Sequence, residues 1–431
     1  MSMVNRRSFL NKASLVSATA LFSSFLQPAW SRNLEKALKI SESISPDDLA
    51  SDDDFWYYIQ QAFTVSPSLI NLNNGGVSPA PKTVQDAMKR YYDYSNEAPS
   101  YYMWRILDQG RETLRENLAQ LAGTSAEEIA INRNSSEGLE TVIFGLPLKP
   151  GDEVVAAKQD YPNMVNAWKQ RELRDNIKLK WINLELPSED ENYLVQQYVN
   201  AFTPKTKVVH ITHIINWNGQ ILPVERIADE AKKRGIEVLV DGAHSFAHIN
   251  FTIPSLNADY FASSLHKWLY APIGSGLLYV RKEKIKNLYP LFASGEPLKD
   301  DIRKFEHLGT RPFFIEQAIG KALEFPHMIG SERKEKRLHY LKNYWMQKVK
   351  DEPKVKLHTS LDPKWGGAIG MVSVEGKKPG DLDSFLMNKY KIHTVGIEWE
   401  NIKGVRVTPN VYTTTANLDI LVKGIREFAK S

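Results

Sequence analysis

The sequence predicts an α/β protein in which a mostly parallel sheet is covered by helices and a smaller α+β domain follows. From about residue 68, short apolar runs alternate with amphipathic stretches of about 10–15 residues, the pattern of parallel strands joined by helices. After Pro312 the alternation gives way to a long amphipathic helix, further strands and a terminal helix. The 431 residues also exceed the roughly 250–300 over which a single core usually grows, which favours two domains.

The clearest unit is a strand, a helix and a second strand between residues 207 and 241. Residues 207–212, with Val208, Val209 and Ile211 as their apolar members, predict a buried strand. Residues 224–234 place apolar side chains at helical spacing, and Gly235 follows as a stop signal. Residues 237–240 predict the next strand, and Asp241 stands at its end. Further strands are predicted at 129–131, before a helix that opens at Leu139, and at 260–262.

Composition and pattern divide the chain into four parts. Residues 1–31 predict an export signal, and the polar, acidic residues 32–67 predict an N-terminal arm with one helix around 55–63. The large domain is expected over 68–312. The smaller domain is expected over 313–431, with strands at 369–374 and 405–408 and a terminal helix at 418–429.

The first 31 residues have the three parts of a signal peptide. Arg6, Arg7 and Lys12 precede an apolar run of about 14 residues, shorter than the ~20 that span a bilayer, and a small-x-small pattern ends near Ser31. The paired arginines followed by Ser-Phe-Leu resemble the twin-arginine export signal. We therefore expect passage through the twin-arginine translocase, cleavage near Ser31 and a soluble periplasmic or secreted protein. An ordinary amphipathic N-terminal helix is the alternative.

Composition excludes several kinds of site and partner. The chain has no cysteine, which rules out a disulfide, an iron–sulfur cluster, a Cys-ligated zinc and a thiolate nucleophile. The net charge is +4, but three of the positive charges lie in the first 31 residues, and the near-neutral remainder gives no reason to expect nucleic acid as a partner. No G-x-x-x-x-G-K-[ST] stretch is present, so a Walker-type ATPase is rejected.

Polar residues follow three of the predicted strands, where ligands of open α/β sheets collect. Asp241 ends one strand, Lys267 lies shortly after another, and Ser135 and Ser136 follow a third. Each has an ordinary explanation alone, as a helix cap or a solvated lysine. Together they match pyridoxal 5'-phosphate (PLP), which needs an amine for its aldehyde, a carboxylate for its pyridinium nitrogen and an anion site for its phosphate.

Several spaced motifs carry a more specific resemblance. They are Val238-Leu239-Val240-Asp241-Gly242-Ala243-His244, Ala258-Asp259-Tyr260-Phe261, Ser264-Leu265-His266-Lys267-Trp268-Leu269-Tyr270-Ala271-Pro272-Ile273-Gly274 and Gly276-Leu277-Leu278-Tyr279-Val280. In this order they resemble the class V aminotransferase family, over about Asn71 to Tyr412. The family includes cysteine desulfurases, kynureninases and isopenicillin N epimerases, and the chain looks most like the last. The resemblance implies the fold of aspartate aminotransferase (PLP fold type I), with helices on both faces of the large sheet.

The resemblance also implies a role for individual residues. Lys267 would hold the cofactor as an internal aldimine and carry the Cα proton, and Asp241 would pair with the pyridinium nitrogen. The other cofactor-binding residues that it implies are Ser135, Ser136, Ser264 and His266 at the phosphate, Tyr161 stacked on the ring, and Asn216 and His244 at the phenolic oxygen.

Two further residues are implied near the C-terminal half of the resemblance. Thr310, in Phe305-Glu306-His307-Leu308-Gly309-Thr310, matches a threonine that reaches the phosphate of the neighbouring subunit, which implies a homodimer with shared sites. Arg406 matches the arginine that grips the substrate α-carboxylate, a task that suits the planar guanidinium fork. A surface salt bridge is the ordinary explanation for Arg406.

The reaction itself stays open. Once Lys267 has removed the Cα proton, the substrate can be reprotonated, transaminated or made to lose a β-substituent, so an epimerase-like enzyme, an aminotransferase and a C–S or β-elimination lyase all remain. An epimerase needs a second proton donor, for which the candidates are Tyr161, Tyr101, Tyr102 and Tyr270. Desulfurases need a cysteine thiolate, which this chain lacks. Export fits an amino-acid-containing or peptide-like metabolite as substrate.

One alternative belongs to a different class, an exported zinc hydrolase. His210 and His213, with His244 and His248, could be read as zinc ligands. However, no H-E-x-x-H stretch is present, and His210 and His213 are predicted to face opposite sides of a strand. We therefore favour the PLP enzyme.

Overall fold

The computed structural model describes residues 35, 37–39 and 41–431, so the predicted signal peptide lies outside the described residues. Within the described part, no helix is both long and apolar enough to cross a membrane. The strands are β1 (Ile70–Asn71), β2 (Ile129–Asn132), β3 (Glu153–Ala157), β4 (Lys178–Ile182), β5 (Thr206–Thr212), β6 (Glu237–Asp241), β7 (Tyr260–Ser264), β8 (Gly276–Val280), β9 (Val355–Leu357), β10 (Gly370–Val374), β11 (Ile392–His393), β12 (Val395–Trp399) and β13 (Ile402–Val407).

The helices connect and flank these strands. They are α1 (Pro46–Ala50), α2 (Asp53–Gln61), α3 (Lys82–Glu97), α4 (Pro99–Tyr101), α5 (Gly110–Ala122), α6 (Ser135–Gly145), α7 (Pro162–Asp175), α8 (Glu191–Val199), α9 (Val224–Lys232), α10 (Leu265–Trp268), α11 (Phe313–Ile329), α12 (Ser331–Val349), α13 (Pro379–Tyr390) and α14 (Thr415–Lys430). A π-helix spans Tyr102–Leu107, and 3₁₀ turns span Ala126–Glu128, Ile253–Leu256, Lys282–Asn287 and Ile302–Glu306.

The large sheet has seven strands in the order β2-β8-β7-β6-β5-β3-β4. Strands β7, β6, β5, β3 and β4 are parallel, and β8 runs antiparallel to both of its neighbours, β2 and β7. The carboxyl ends of β2, β7, β6 and β5 therefore lie along one edge of the sheet. This mostly parallel sheet confirms the predicted fold class.

Helices cover both faces of this sheet because alternate residues of each strand point to opposite sides. On β6, Val238 and Val240 pack in one core cluster and Leu239 packs in another. Helices α6 and α7 cover the face of Leu239, and α3, α5, α8, α9 and α11 cover the other. Both faces are thus buried, as fold type I requires.

A smaller antiparallel sheet, in the order β12-β13-β10-β9, follows in the chain, and β1 pairs in parallel with β11. Helices α12, α13 and α14 pack on the smaller sheet through side chains such as Trp345, Leu386 and Leu421. Strand β13 carries Arg406 toward the large sheet, where its guanidinium donates to the Asn216 carbonyl. The predicted domain boundaries at 68 and 313 remain predictions.

Two local predictions were wrong. Helix α6 begins at Ser135 rather than at Leu139, because the Asn134 side chain accepts a hydrogen bond from the Glu137 N–H at 2.9 Å and caps the helix four residues earlier. The single long helix expected after Pro312 is two helices, broken at Gly330, whose φ of 85° lies in the region that favours glycine.

Candidate active site

The predicted site residues gather at the carboxyl edge of the large sheet. Asp241 is the last residue of β6, and Ser264 is the last residue of β7, directly before the short helix α10 that carries Lys267. Ser135 opens helix α6, three residues beyond the end of β2. Because β6 and β7 are paired neighbours, with Asp241 opposite Ala262, the carboxylate and the amine are brought to one place by the sheet itself.

The Lys267 amine lies 3.1 Å from Nε2 of His244, and Nδ1 of His244 accepts a hydrogen bond from the indole N–H of Trp268 at 3.4 Å. Burial lowers the pKa of Lys267 to about 8; the Asp241 carboxylate opposes this shift and Arg406 adds to it. Burial also lowers the pKa of His244 far below its ordinary range. A neutral imidazole therefore stands beside an amine that readily gives up its proton.

Asp241 is 4% exposed, and its Oδ1 accepts a hydrogen bond from the Ala243 N–H at 2.9 Å. Burial raises the pKa of Asp241, whereas the Ala243 N–H and the charge of Lys267 lower it. Among the described residues no side chain donates a hydrogen bond to this carboxylate. Asp241 is therefore a buried carboxylate that has no cationic hydrogen-bond donor among the described residues.

An anion-binding cup lies at the N-terminus of α6. The Ser264 hydroxyl accepts a hydrogen bond from the Ser135 N–H and donates to the Ser135 hydroxyl, both at 2.9 Å. Ser136 is half-buried in the same first turn, where backbone N–H groups and the helix dipole favour a phosphate. Burial lowers the pKa of nearby His266 to about 4, so its ring is a neutral part of this region.

Arg406 reaches the large sheet from β13. Its Nη1 donates to the Asn216 carbonyl at 2.8 Å, and its Nη2 donates to Oδ1 of Asn73 at 2.9 Å. The residue is 8% exposed and has no carboxylate partner among the described residues; burial lowers its pKa to about 10, and the Tyr161 phenol nearby opposes that shift. It is not the surface salt bridge of the ordinary explanation.

Asn73 was missed in the sequence. It lies in the loop after β1 and bridges Arg406 and His393, whose Nε2 is 3.3 Å from the Asn73 amide nitrogen. The run Asn73-Asn74-Gly75-Gly76 was the available signal, because glycines let a loop approach closely: a Cβ on Gly75 would lie 3.1 Å from the Thr408 hydroxyl and 3.6 Å from the His244 ring.

Tyr161 is the N-cap residue of α7, and its side chain is 41% exposed. Two indoles hold the loop before it: Trp217, in the loop after β5, donates to the Gln159 carbonyl, and Trp399, at the end of β12, donates to the Lys158 carbonyl, each at 2.9 Å. The two indoles stack at 5.4 Å with an angle of 24° between their planes.

The remaining predicted residues are placed differently. Thr310 is exposed and makes no hydrogen bond to the other predicted site residues within the described chain. Tyr101 is 58% exposed and Tyr102 belongs to the π-helix, whereas Tyr270 is fully buried and its hydroxyl has no partner among the described residues. Thr310, Tyr101 and Tyr102 are thus not joined to the cluster by hydrogen bonds within one chain.

The histidines of the zinc alternative are used in packing. Nδ1 of His210 accepts a hydrogen bond from the Trp168 indole at 3.1 Å, and the His213 ring packs edge-on against Phe251. In the described part of the chain, no three His, Asp or Glu side chains are arranged to hold a metal ion. The geometry does not favour a zinc hydrolase.

The cluster fits PLP on observations of its own. Lys267 offers an amine with a pKa of about 8, and Asp241 offers a buried carboxylate without a cationic hydrogen-bond donor. The anion-binding cup formed by Ser135 and Ser264 suits a phosphate, and Oδ1 of Asn216 is buried without a partner among the described residues. Amine, carboxylate and anion cup are the three features that this cofactor needs.

Curated relatives align over about three quarters or more of the chain. Isopenicillin N epimerase from Streptomyces clavuligerus is 26% identical over 390 residues, which cover 86% of this chain and 97% of the relative. The same enzyme from Amycolatopsis lactamdurans is 24% identical over 394 residues, or 87% and 99% of the two chains. A probable cysteine desulfurase from Synechocystis sp. is 26% identical over 333 residues, or 73% and 78%.

Solved structures share the fold at low identity. A mutant of C-DES with glycine covalently linked to its PLP cofactor has a TM-score of 0.78 at 20% identity, covering 85% of this chain and 99% of that one. The apo cysteine desulfurase of Thermococcus onnurineus has a TM-score of 0.76 at 23% identity, covering 88% and 98%. Residues 70–398 match the aminotransferase class-V family model. The chain belongs to the class V aminotransferase family, and its cofactor is pyridoxal 5'-phosphate.

Proposed function

We propose that this protein moves the Cα proton of an amino acid or an amino-acid-containing metabolite, as an epimerase-like enzyme or an aminotransferase. The observation that carries the proposal is the placement of Lys267: its amine, with a pKa of about 8, shares a buried site with a carboxylate at Asp241 and a guanidinium at Arg406. An amine near neutrality suits proton transfer, because the best acid–base groups have pKa values close to the working pH.

Each residue has a distinct task in this proposal. When bound, PLP supplies an electron sink for the pair left behind at Cα. Asp241 holds the proton on the pyridine nitrogen, and Ser135, Ser136 and Ser264 hold the phosphate. Arg406 orients the substrate through its α-carboxylate. Lys267 then takes the Cα proton and returns it.

Support for epimerase-like chemistry comes from the relatives named isopenicillin N epimerase, which this chain matches over 97% and 99% of their own length. Inversion needs a second proton donor. Tyr161 is our candidate, because its phenol is close enough to Arg406 to affect the pKa of that guanidinium and so stands beside the proposed carboxylate site.

The second candidate function is a C–S or β-elimination lyase, favoured by the relatives named cysteine desulfurase. A desulfurase that passes sulfur to its own cysteine thiolate does not fit a chain without cysteine. A lyase that releases its product directly remains compatible with the same Lys267 and Asp241.

The decisive experiment incubates the holoenzyme with a panel of amino acids and dipeptides in heavy water. Deuterium at Cα with inversion and no keto acid supports an epimerase; keto acid formation supports an aminotransferase; pyruvate with ammonia or sulfide supports the lyase. The wild type should be yellow and bleached by borohydride, and Lys267→Ala should lack both the colour and the exchange. Lys233→Ala, at an exposed lysine paired with Glu230, is the matched control. A PLP-loaded wild type without exchange on any substrate contradicts the proposal.

We also propose export and a homodimer. Paired arginines at 6 and 7 support the twin-arginine route. If the protein still reaches the periplasm after Arg6→Lys and Arg7→Lys, this route is rejected.

The exposed Thr310 supports a contribution to the phosphate site of a second subunit. Mixing the inactive variants Lys267→Ala and Thr310→Val should restore about a quarter of the activity if each site draws on both subunits, and none if each site lies within one chain.

A further inference from the structure

The protonation of His244 can be deduced from its two ring contacts. The indole N–H of Trp268 can only donate, so Nδ1 of His244, 3.4 Å away, carries a lone pair. In the neutral ring the proton must then lie on Nε2, which faces the Lys267 amine at 3.1 Å. An N–H at Nε2 can donate only to an amine that has lost its proton.

A second histidine shows the same unambiguous protonation. The Ala368 backbone N–H donates to Nε2 of His248 at 2.8 Å, so the proton of His248 lies on Nδ1 and is donated to the His244 carbonyl at 2.7 Å. The His248 ring lies parallel to the Trp268 indole, with 3.8 Å between centroids and 18° between planes. His248 therefore supports Trp268 from one side and His244 from another.

Trp268 is held firmly at its backbone as well. Its side chain is fully buried, and Nζ of Lys334 donates to both the Trp268 carbonyl and the Ala247 carbonyl. Ala247 has a φ of 58°, a conformation unusual for a residue with a Cβ. The indole thus has no room to turn away from His244.

The largest influences on the pKa of His244 act in one direction. Burial comes first in lowering its pKa, and Lys267, Arg406, His248 and His266 all add to the lowering. None of these largest influences favours an imidazolium. The neutral ring deduced from the hydrogen bonds is therefore also the ring that the surroundings favour.

We propose that Trp268, supported by His248, is a positioning residue that fixes the His244 tautomer with its proton on Nε2. The inference rests on the proposed roles of Lys267 and His244. In this tautomer the imidazole presents one N–H toward the Lys267 amine. With the cofactor bound, this N–H would be a donor for the phenolic oxygen, as a glutamine amide would be. Without the indole, the other tautomer would turn a lone pair toward Lys267 and favour a protonated amine.

The test is a double-mutant cycle of Trp268→Phe and His244→Gln on the full-length holoenzyme. Phenylalanine keeps a ring beneath His248 but removes the indole N–H, and glutamine has an amide donor that needs no tautomer selection. We expect Trp268→Phe to raise the pH midpoint of the visible absorption by about 0.4–1 pH unit, the equivalent of one hydrogen bond. In the His244→Gln background the same change should leave the midpoint unmoved. An equal shift in both backgrounds overturns the proposal.

A second readout needs no catalysis. Two-bond ¹H–¹⁵N spectra of histidine-labelled protein distinguish the tautomers, and the His244 signals are those that disappear in His244→Gln. Wild type should show the proton on Nε2, and Trp268→Phe should reduce that preference about fivefold. A wild-type proton on Nδ1 overturns the proposal even if Trp268→Phe does not fold.

The control is Trp345→Phe, because Trp345 is equally buried and its indole N–H has no partner among the described residues. It should lower stability without moving the midpoint or the tautomer. A wild type with the expected tautomer but no Cα exchange would refute the proposed function and still support the role of Trp268, so the two failures are distinguishable.

Discussion

Replacement of Arg406 by methionine should abolish the recognition of the substrate carboxylate and leave the cofactor in place. The residue is 8% exposed, and within the described chain its guanidinium bonds neutral oxygens, those of Asn216 and Asn73. Burial lowers its pKa to about 10, roughly 2.5 pH units below the ordinary value of an arginine. At about 1.4 kcal/mol per pH unit, the charge is held without a counter-ion at a cost of about 3 kcal/mol.

A substrate carboxylate in contact with Arg406 would recover most of that free energy. Arg406→Met should therefore weaken the binding of an amino acid by about 3 kcal/mol, or about 100-fold. Methionine is unbranched and uncharged, so the change removes the guanidinium and its charge while the space taken by the aliphatic part of the side chain stays filled.

The assay titrates the holoenzyme with an amino acid and with the corresponding amino acid amide, following the visible absorption of the cofactor. Wild type should prefer the amino acid about 100-fold, and Arg406→Met should bind the two about equally. Arg234→Met is the control, since Arg234 forms an exposed pair with Glu230. A preference for the carboxylate that survives in Arg406→Met would refute the reasoning.

Three further changes test the rest of the site. Asp241→Asn should slow Cα-proton exchange about 10- to 100-fold, because the amide cannot keep the pyridine nitrogen protonated; an unchanged exchange rate would contradict this. Ser264→Ala should weaken PLP binding about fivefold in equilibrium dialysis, because it removes the hydroxyl that bonds both the N–H and the hydroxyl of Ser135. An unchanged affinity for PLP would contradict the proposed phosphate site. Burial lowers the pKa of Lys334 to about 7. Between pH 7 and about 10 the unfolded chain therefore holds a proton that the folded protein has lost, and the free energy of unfolding rises with pH. From pH 7 to 9 the free energy of unfolding of wild type should rise by about 2 kcal/mol relative to Lys334→Met in urea titrations, and parallel pH profiles would contradict this.

The sequence predicted the parts of the site that depend on local pattern. A strand that ends in Asp241 and another followed by Lys267 are readable because buried parallel strands are continuous apolar runs and their carboxyl ends share an edge. The position of that edge was therefore predictable from the amino-acid pattern alone, and the family motifs attached roles to its residues.

Contacts between distant segments were not readable. Asn73 and Arg406 are 333 residues apart, and no periodicity indicates that the loop after β1 meets β13. The start of α6 depended on one side chain, Asn134, whose cap outweighs the weak helix propensity of the two serines that follow. The protonation of His244 depended on Trp268, which the sequence pattern treats only as an apolar residue.

The stacked pair of Trp217 and Trp399 has a consequence for anyone who builds chimeras of this enzyme. The loop that presents Tyr161 is held by two indole N–H groups, one from the loop that follows β5 and one from the end of β12. If the hairpin 395–407 is exchanged for that of a relative, the hydrogen bond from Trp399 to the Lys158 carbonyl is lost unless the relative also has a tryptophan at position 399. Grafts intended to change substrate preference should therefore transfer the hairpin and its indole together.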